Sequence, residues 1–145
     1  MLKPISSRDK KNLFELLKNQ FGFSGKLDYN FFINDYKKIF ILNSGLQIDF
    51  SKIRVNSLGL YFANLKNELR LTIEGSQIIG PNSKKNILEI DESRLQDWIH
   101  GNDIGTEKKF DGFVLIKNKS DFYGTGKYKD GKILNFIPKE RRLKN

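Results

Sequence analysis

The chain has 145 residues, 38% of them hydrophobic, and carries a formal net charge of +9 with a sequence pI near 9.7. Its 12 Phe, 5 Tyr and 1 Trp are enough to build a core, which excludes wholesale disorder. It has no cysteine and a single histidine, which excludes disulfides, thiolate metal sites and cysteine nucleophiles.

In chain order, the spacing predicts a first helix over 7–21. Ser7 is the candidate N-cap, Asp9 lies in the first turn, and Leu13, Phe14, Leu16, Leu17 and Phe21 form its apolar face. Gly22 and Gly25 stop it. Strands are expected at 29–33 and 38–42, joined by the turn Asn34-Asp35-Tyr36-Lys37. Residues 47–56 fit either a short helix or an irregular strand. Residues 58–65 and 69–73 read as strands, the second from the alternation of Leu69, Leu71 and Ile73 with Arg70 and Thr72. Glu74-Gly75-Ser76-Gln77 reads as a turn, and Pro81-Asn82-Ser83 as a domain boundary.

Beyond that boundary a short strand at 86–90 precedes a helix capped by Asp91. Leu95, Trp98 and Ile99 form its buried face, and Gly101 ends it. A flexible stretch is expected over 102–111. Three short strands follow between Gly112 and Ile137, with Lys129-Asp130-Gly131-Lys132 as a hairpin turn. The chain closes on Lys139, Arg141, Arg142 and Lys144.

Charge is uneven along this order. Residues 69–106 hold 4 basic and 6 acidic residues, whereas residues 107–145 hold 11 and 5. An AT-rich genome can raise the lysine total without any selection for binding, but it does not choose one end of a chain. The basic end therefore points to a polyanion, with RNA the leading partner. No apolar run reaches the roughly 18 residues of a membrane span, and the first residues lack a signal-peptide stretch. A soluble cytoplasmic protein is the expectation, with no metal, no cofactor and no catalytic residues. His100 sits beside a helix-ending glycine, and no acid–base–nucleophile set surrounds it. Gly124-Thr125-Gly126-Lys127 lacks the spacing and the following Ser or Thr of a nucleotide loop.

The succession Asn86-Ile-Leu-Glu-Ile-Asp, Gly101-Asn-Asp-Ile, Gly112-Phe-Val-Leu-Ile, Tyr123-Gly-Thr-Gly-Lys and Ile137-Pro-Lys-Glu-Arg-Arg resembles a PUA domain. Its last two motifs are also similar to the PUA-like tail of the NOL/NOP/Sun rRNA cytosine-5 methyltransferases. With the early helix and strands, Ser57-Leu-Gly-Leu-Tyr-Phe, Leu69-Arg-Leu-Thr-Ile and Ile78-Ile-Gly-Pro, the chain resembles the "nip-seven" type of ribosome biogenesis factor. The loop 102–111 departs from the pattern by lacking a proline-glycine turn. The resemblance implies an α+β protein. A small N-terminal α/β domain over 1–83 precedes a PUA-like pseudo-barrel of short strands with one main helix over 84–145.

It also implies non-catalytic RNA binding in ribosome biogenesis, with rRNA or pre-rRNA as ligand, tRNA as another possibility, and a protein partner for the N-terminal domain. Two alternatives stand beside it: an accessory RNA-binding subunit for a separate RNA-modifying enzyme, and a protein-interaction scaffold. The expected contacts are Lys117, Lys119, Tyr123, Lys127, Lys129, Lys132, Lys139, Arg141 and Arg142. Lys117 and Lys119 would share one strand face, as would Lys127 and Lys129. For Tyr123, stacking on a base and core packing are both open. Arg141 and Arg142 could meet one RNA only at a strand end or in a loop, because strand neighbours face opposite ways.

Overall fold

The structure, a computed structural model, describes residues 2–43 and 59–144. Helix α1 spans Ser7–Phe21, as its apolar spacing predicts, with Leu13, Leu17 and Phe21 buried in one stripe. Its cap is Ser6 rather than the expected Ser7. Ser6 keeps an extended backbone, and its hydroxyl accepts from the Asp9 N–H at 3.1 Å. A capping residue must stand outside the helix, and Ser7 is already in it. Gly22, at φ 61°, supplies the left-handed turn at the other end.

The first sheet is an antiparallel meander in chain order: β1 (Lys3–Pro4), β2 (Tyr29–Ile33), β3 (Lys38–Asn43), β4 (Leu60–Asn64) and β5 (Arg70–Leu71). The predicted turn joins β2 to β3, with the Asn34 side-chain oxygen accepting from the Tyr36 and Lys38 N–H groups. Along β3, Ile39 and Ile41 are buried while Phe40 and Leu42 are half-buried. That alternation marks β3 as covered mainly on one face, whereas β2 buries Phe31, Phe32 and Ile33 in succession. The ambiguous segment 47–56 lies outside the described residues.

The alternation of Leu69, Leu71 and Ile73 proved misleading. The strand stops at Leu71, and Ile73–Ile79, expected as a strand end and a turn, form helix α2. Thr72 makes the switch. Its hydroxyl donates to the Tyr61 carbonyl at 2.7 Å and accepts from the Gly75 N–H at 2.9 Å, so one residue ends a strand and caps a helix. Gly75 weakens the helical signal, yet a side chain there would strike the Phe62 carbonyl oxygen. Gly80, just beyond α2, lies as tightly against the Phe122 ring.

The second sheet comprises β6 (Ile87–Glu89), β7 (Ile104–Gly105), β8 (Phe113–Asn118), β9 (Asp121–Lys129) and β10 (Lys132–Asn135), in the order β6-β8-β9-β10-β7. It curls into a half-barrel. β6 runs parallel to β8, and helix α3 (Glu92–Ile99) lies in the connection between them. Asp91 caps α3 as expected, accepting from the Arg94 N–H at 2.9 Å. The stretch expected to be flexible contains β7, whose Ile104 is buried opposite Ile133. Two residues are too few to show a period. Gly124-Thr125-Gly126, the loop-like run, lies inside β9. Gly126 passes so close beneath Trp98 that no side chain fits, and the Gly124 N–H bonds to the Ser76 hydroxyl at 2.8 Å.

The change of sheet falls between β5 and β6, but the core does not divide there. Phe113, Leu115 and Phe122 of the second sheet join the cluster of Leu13, Leu17, Ile39 and Phe62. On its other face Val114, Ile116 and Ile133 pack with Leu95 and Trp98 of α3. Gln20 on α1 donates to the Asp111 and Phe113 carbonyls at 2.7 and 2.8 Å, and Thr125 donates to the Leu71 carbonyl at 3.0 Å. The fold is α+β, as the sequence implies. No described helix is long and apolar enough to cross a membrane.

Candidate nucleic-acid interface

The β9–β10 hairpin carries three of the eight expected cations, Lys127, Lys129 and Lys132. Asp130 at φ 48° and Gly131 at φ 83° make the primed turn that Asp-Gly predicts. Lys129 and Lys132 are register partners beside it, and both are exposed. Lys127 stands two residues before Lys129 on the same strand. It is half-buried, lies 5.9 Å from the Phe113 ring centroid and pairs with Glu68. On β8, Lys117 lies 5.7 Å from the Phe122 ring. Lys119 does not share its strand face: β8 ends at Asn118, and Lys119 takes φ 56° in the turn to β9. Period-two reasoning fails where the strand stops. Tyr123 is half-buried against the α3-side core, and its carbonyl accepts the Trp98 indole N–H at 2.8 Å.

The closing basic residues diverge. Lys139 is exposed on a 3-10 turn over Lys139–Arg141. Arg141 reaches across to α2, where its two terminal nitrogens donate to the two Glu74 carboxylate oxygens at 2.6 Å each. These bonds hold the Glu74 carboxyl below its usual range and raise the Arg141 guanidinium above its own. Arg142 turns toward α3 instead. Its Nε donates to the Ile137 carbonyl at 2.9 Å, and its side chain crosses Gly101 (φ 97°) with no room for a Cβ there. The two arginines therefore stand in different surroundings, although they lie at a 3-10 turn and not on a strand, where neighbours face opposite ways.

Sequence reasoning missed the cleft between the sheets. A cavity of about 250 Å³ is lined by Lys38, Tyr61, Arg70, Phe136, Glu140 and Arg141, among others. A second recess of about 380 Å³ shares Arg70 and Phe136 and adds Asn64, Lys66, Glu68 and Lys127. Phe136 is 36% exposed. It meets Phe113 edge to face at 5.2 Å, and the Arg70 guanidinium carbon lies 5.5 Å from its ring centroid. Lys38 lies 5.3 Å from the Tyr61 ring. The available signal was Phe136 itself, an aromatic beside buried Ile137 in a basic segment. Its partners come from β3, β4 and β5, which only the packing of the sheets brings near. Among the described residues no group of His, Cys, Asp and Glu could hold a metal ion.

The curled sheet, its helix and the basic hairpin together form the part of the chain that has a family match. Residues 85–143, about two fifths of the chain, match the family model of the methyltransferase RsmF PUA domain. The relatives matched include ribosomal RNA small subunit methyltransferase F of Vibrio vulnificus, strains YJ016 and CMCP6. Each is 24% identical over 103 residues, which is 70% of this chain and 22% of the relative. That match is longer than the stretch from residue 85 to the end, so it takes in part of the N-terminal unit. The likeness is thus to the methyltransferase tail, the second resemblance seen in the sequence.

Proposed function

We propose that this chain is a non-catalytic, cytoplasmic RNA-binding protein that takes rRNA or pre-rRNA as ligand in ribosome biogenesis. The PUA match over 85–143 carries the reading. The exposed Lys129, Lys132 and Lys139 support it, because none is tied to a carboxylate in the ion pairs described and each can meet a phosphate. The N-terminal unit would orient the RNA or meet a protein partner.

Binding of an rRNA fragment and a matched DNA duplex is measured over a salt series, for the wild type and for Lys129→Ala/Lys132→Ala. RNA should bind better, affinity should fall with salt, and the double variant should lose about one to two units of log–log slope. Equal, salt-independent binding of both ligands, unchanged in the variant, would make the charge compositional and favour a protein-interaction scaffold.

A second reading has one observation of its own. The match to the methyltransferases extends into the N-terminal unit, so both units correspond to part of an RNA-modifying enzyme. The residues present include no cysteine to attack a base. On this reading the chain presents RNA to a separate catalytic partner. It predicts weak RNA binding by the chain alone and a marked gain when the enzyme is added.

A further inference from the structure

We infer that the cleft between the two sheets is a seat for an unpaired RNA base, with Phe136 as the stacking platform. The inference rests on the RNA-binding reading above and assigns it a site that lies apart from the basic hairpin tip.

Three features carry it. Phe136 is a large apolar side chain left 36% exposed on a strand-end segment, and its ring meets Phe113 only edge to face. The Arg70 guanidinium lies over the same ring, 5.5 Å from its centroid, so an entering base stacks on Phe136 by displacing that guanidinium, and base–aromatic stacking is the usual way a single strand is held. The cavity beside it is about 250 Å³. This is below the roughly 300–1,000 Å³ of sites that enclose a whole small-molecule ligand, so it suits one base of a strand that continues outside.

The surrounding charge is the third feature. Among the described residues, Arg70 and Lys38 are answered by aromatic rings, Phe136 and Tyr61, and by no carboxylate in the ion pairs given. Arg70 lines both recesses, so a phosphate on either side of a stacked base lies beside it. The cations at the rim, Lys127 and Arg141, are tied across the cleft to Glu68 and Glu74. Each pair joins the PUA domain to the N-terminal unit, so the seat exists only where the two units meet. Exposed pairs of this kind are weak, and a phosphate can compete for their cations.

The test uses the full chain with a short single-stranded RNA and a fully paired, blunt-ended RNA duplex. Phe136→Ala and Phe136→Leu should each weaken single-strand binding about tenfold, leave the salt slope unchanged and leave duplex binding nearly unchanged. Phe136→Trp should restore affinity, and its emission should be quenched on adding the single strand. Trp98 is fully buried and provides a constant background. Arg70→Ala should weaken binding and also reduce the slope by about 0.7. The leucine variant keeps an apolar cover on Phe113, so loss in both variants with an unchanged melting temperature cannot be ascribed to unfolding. Wild-type affinity in both Phe136 variants, with RNA binding intact, would overturn the base seat and leave the RNA reading standing. Absence of RNA binding by the wild type would overturn both.

Discussion

The two sheets of this protein are built from similar residues but occupy different positions. In the first, β3 alternates, with Ile39 and Ile41 buried and Phe40 half-buried beside Tyr61, and only β2 buries three residues in a row, Phe31, Phe32 and Ile33. The second is a middle layer, and its β8 buries Phe113, Val114, Leu115 and Ile116 in succession. An antiparallel pair usually needs only one covered face. Here one face carries α3 and the other the N-terminal unit, so the second sheet shares the N-terminal core rather than hanging from it. Its polar opportunities are confined to strand ends and edges, which is where Lys129, Lys132, Lys139 and Phe136 stand.

Core truncations should separate the sheets most sharply. Trp98→Ala should cost about 4 kcal/mol, because it empties the α3 side and removes the donor to the Tyr123 carbonyl. Leu115→Ala should cost about 3 kcal/mol by opening a cavity at the shared core. Phe40→Ala, on the outer side of the first sheet, should cost about 1 kcal/mol. Urea unfolding measures all three. A Phe40→Ala loss equal to that of Leu115→Ala would show that the first sheet is also covered on both faces.

The caps make a finer comparison. Asp91→Ala removes one side-chain bond at the start of α3 and should cost about 1 kcal/mol. Thr72→Ala removes the α2 cap together with the bond to the Tyr61 carbonyl and should cost about 2 kcal/mol. If the order is reversed, α2 is held by its packing on β9 and not by its cap.

What could be read beforehand follows the same division. α1, α3 and the β8–β10 unit were legible because each is long enough to display a period or is punctuated by a strong turn such as Asp130-Gly131. α2 was not. Its Gly75 and Ser76 are chosen for close approach to Phe62 and for the bond to Gly124, and both residues weaken a helical signal. Of the expected contact residues, those on the hairpin could be placed from strand logic. Lys119 could not, because its position depends on where β8 ends. The cleft was hidden for another reason. Arg70 and Phe136 are distant in sequence and become neighbours only when the N-terminal sheet docks on β9 and β10.

The smallest effect on stability belongs to Glu74→Gln, and it is the most informative about function. The pair with Arg141 is partly exposed, at 24% and 42% of the two side chains, so solvent screening holds its worth below about 1 kcal/mol. The Arg141 hydrogen bonds lower the Glu74 carboxyl relative to the unfolded chain. Its contribution is therefore complete above about pH 5 and fades as acid protonates the folded carboxylate. Glu74→Gln should be slightly less stable than the wild type at pH 7, and the difference should shrink as the pH falls below the ordinary glutamate range. The same change releases the Arg141 guanidinium at the rim of the cleft. If Arg141 can reach a phosphate, RNA affinity should rise and the salt slope steepen by about 0.7 while stability falls. A variant that loses stability without gaining affinity would mark Arg141 as a strut between the two units and leave phosphate contact to the hairpin lysines.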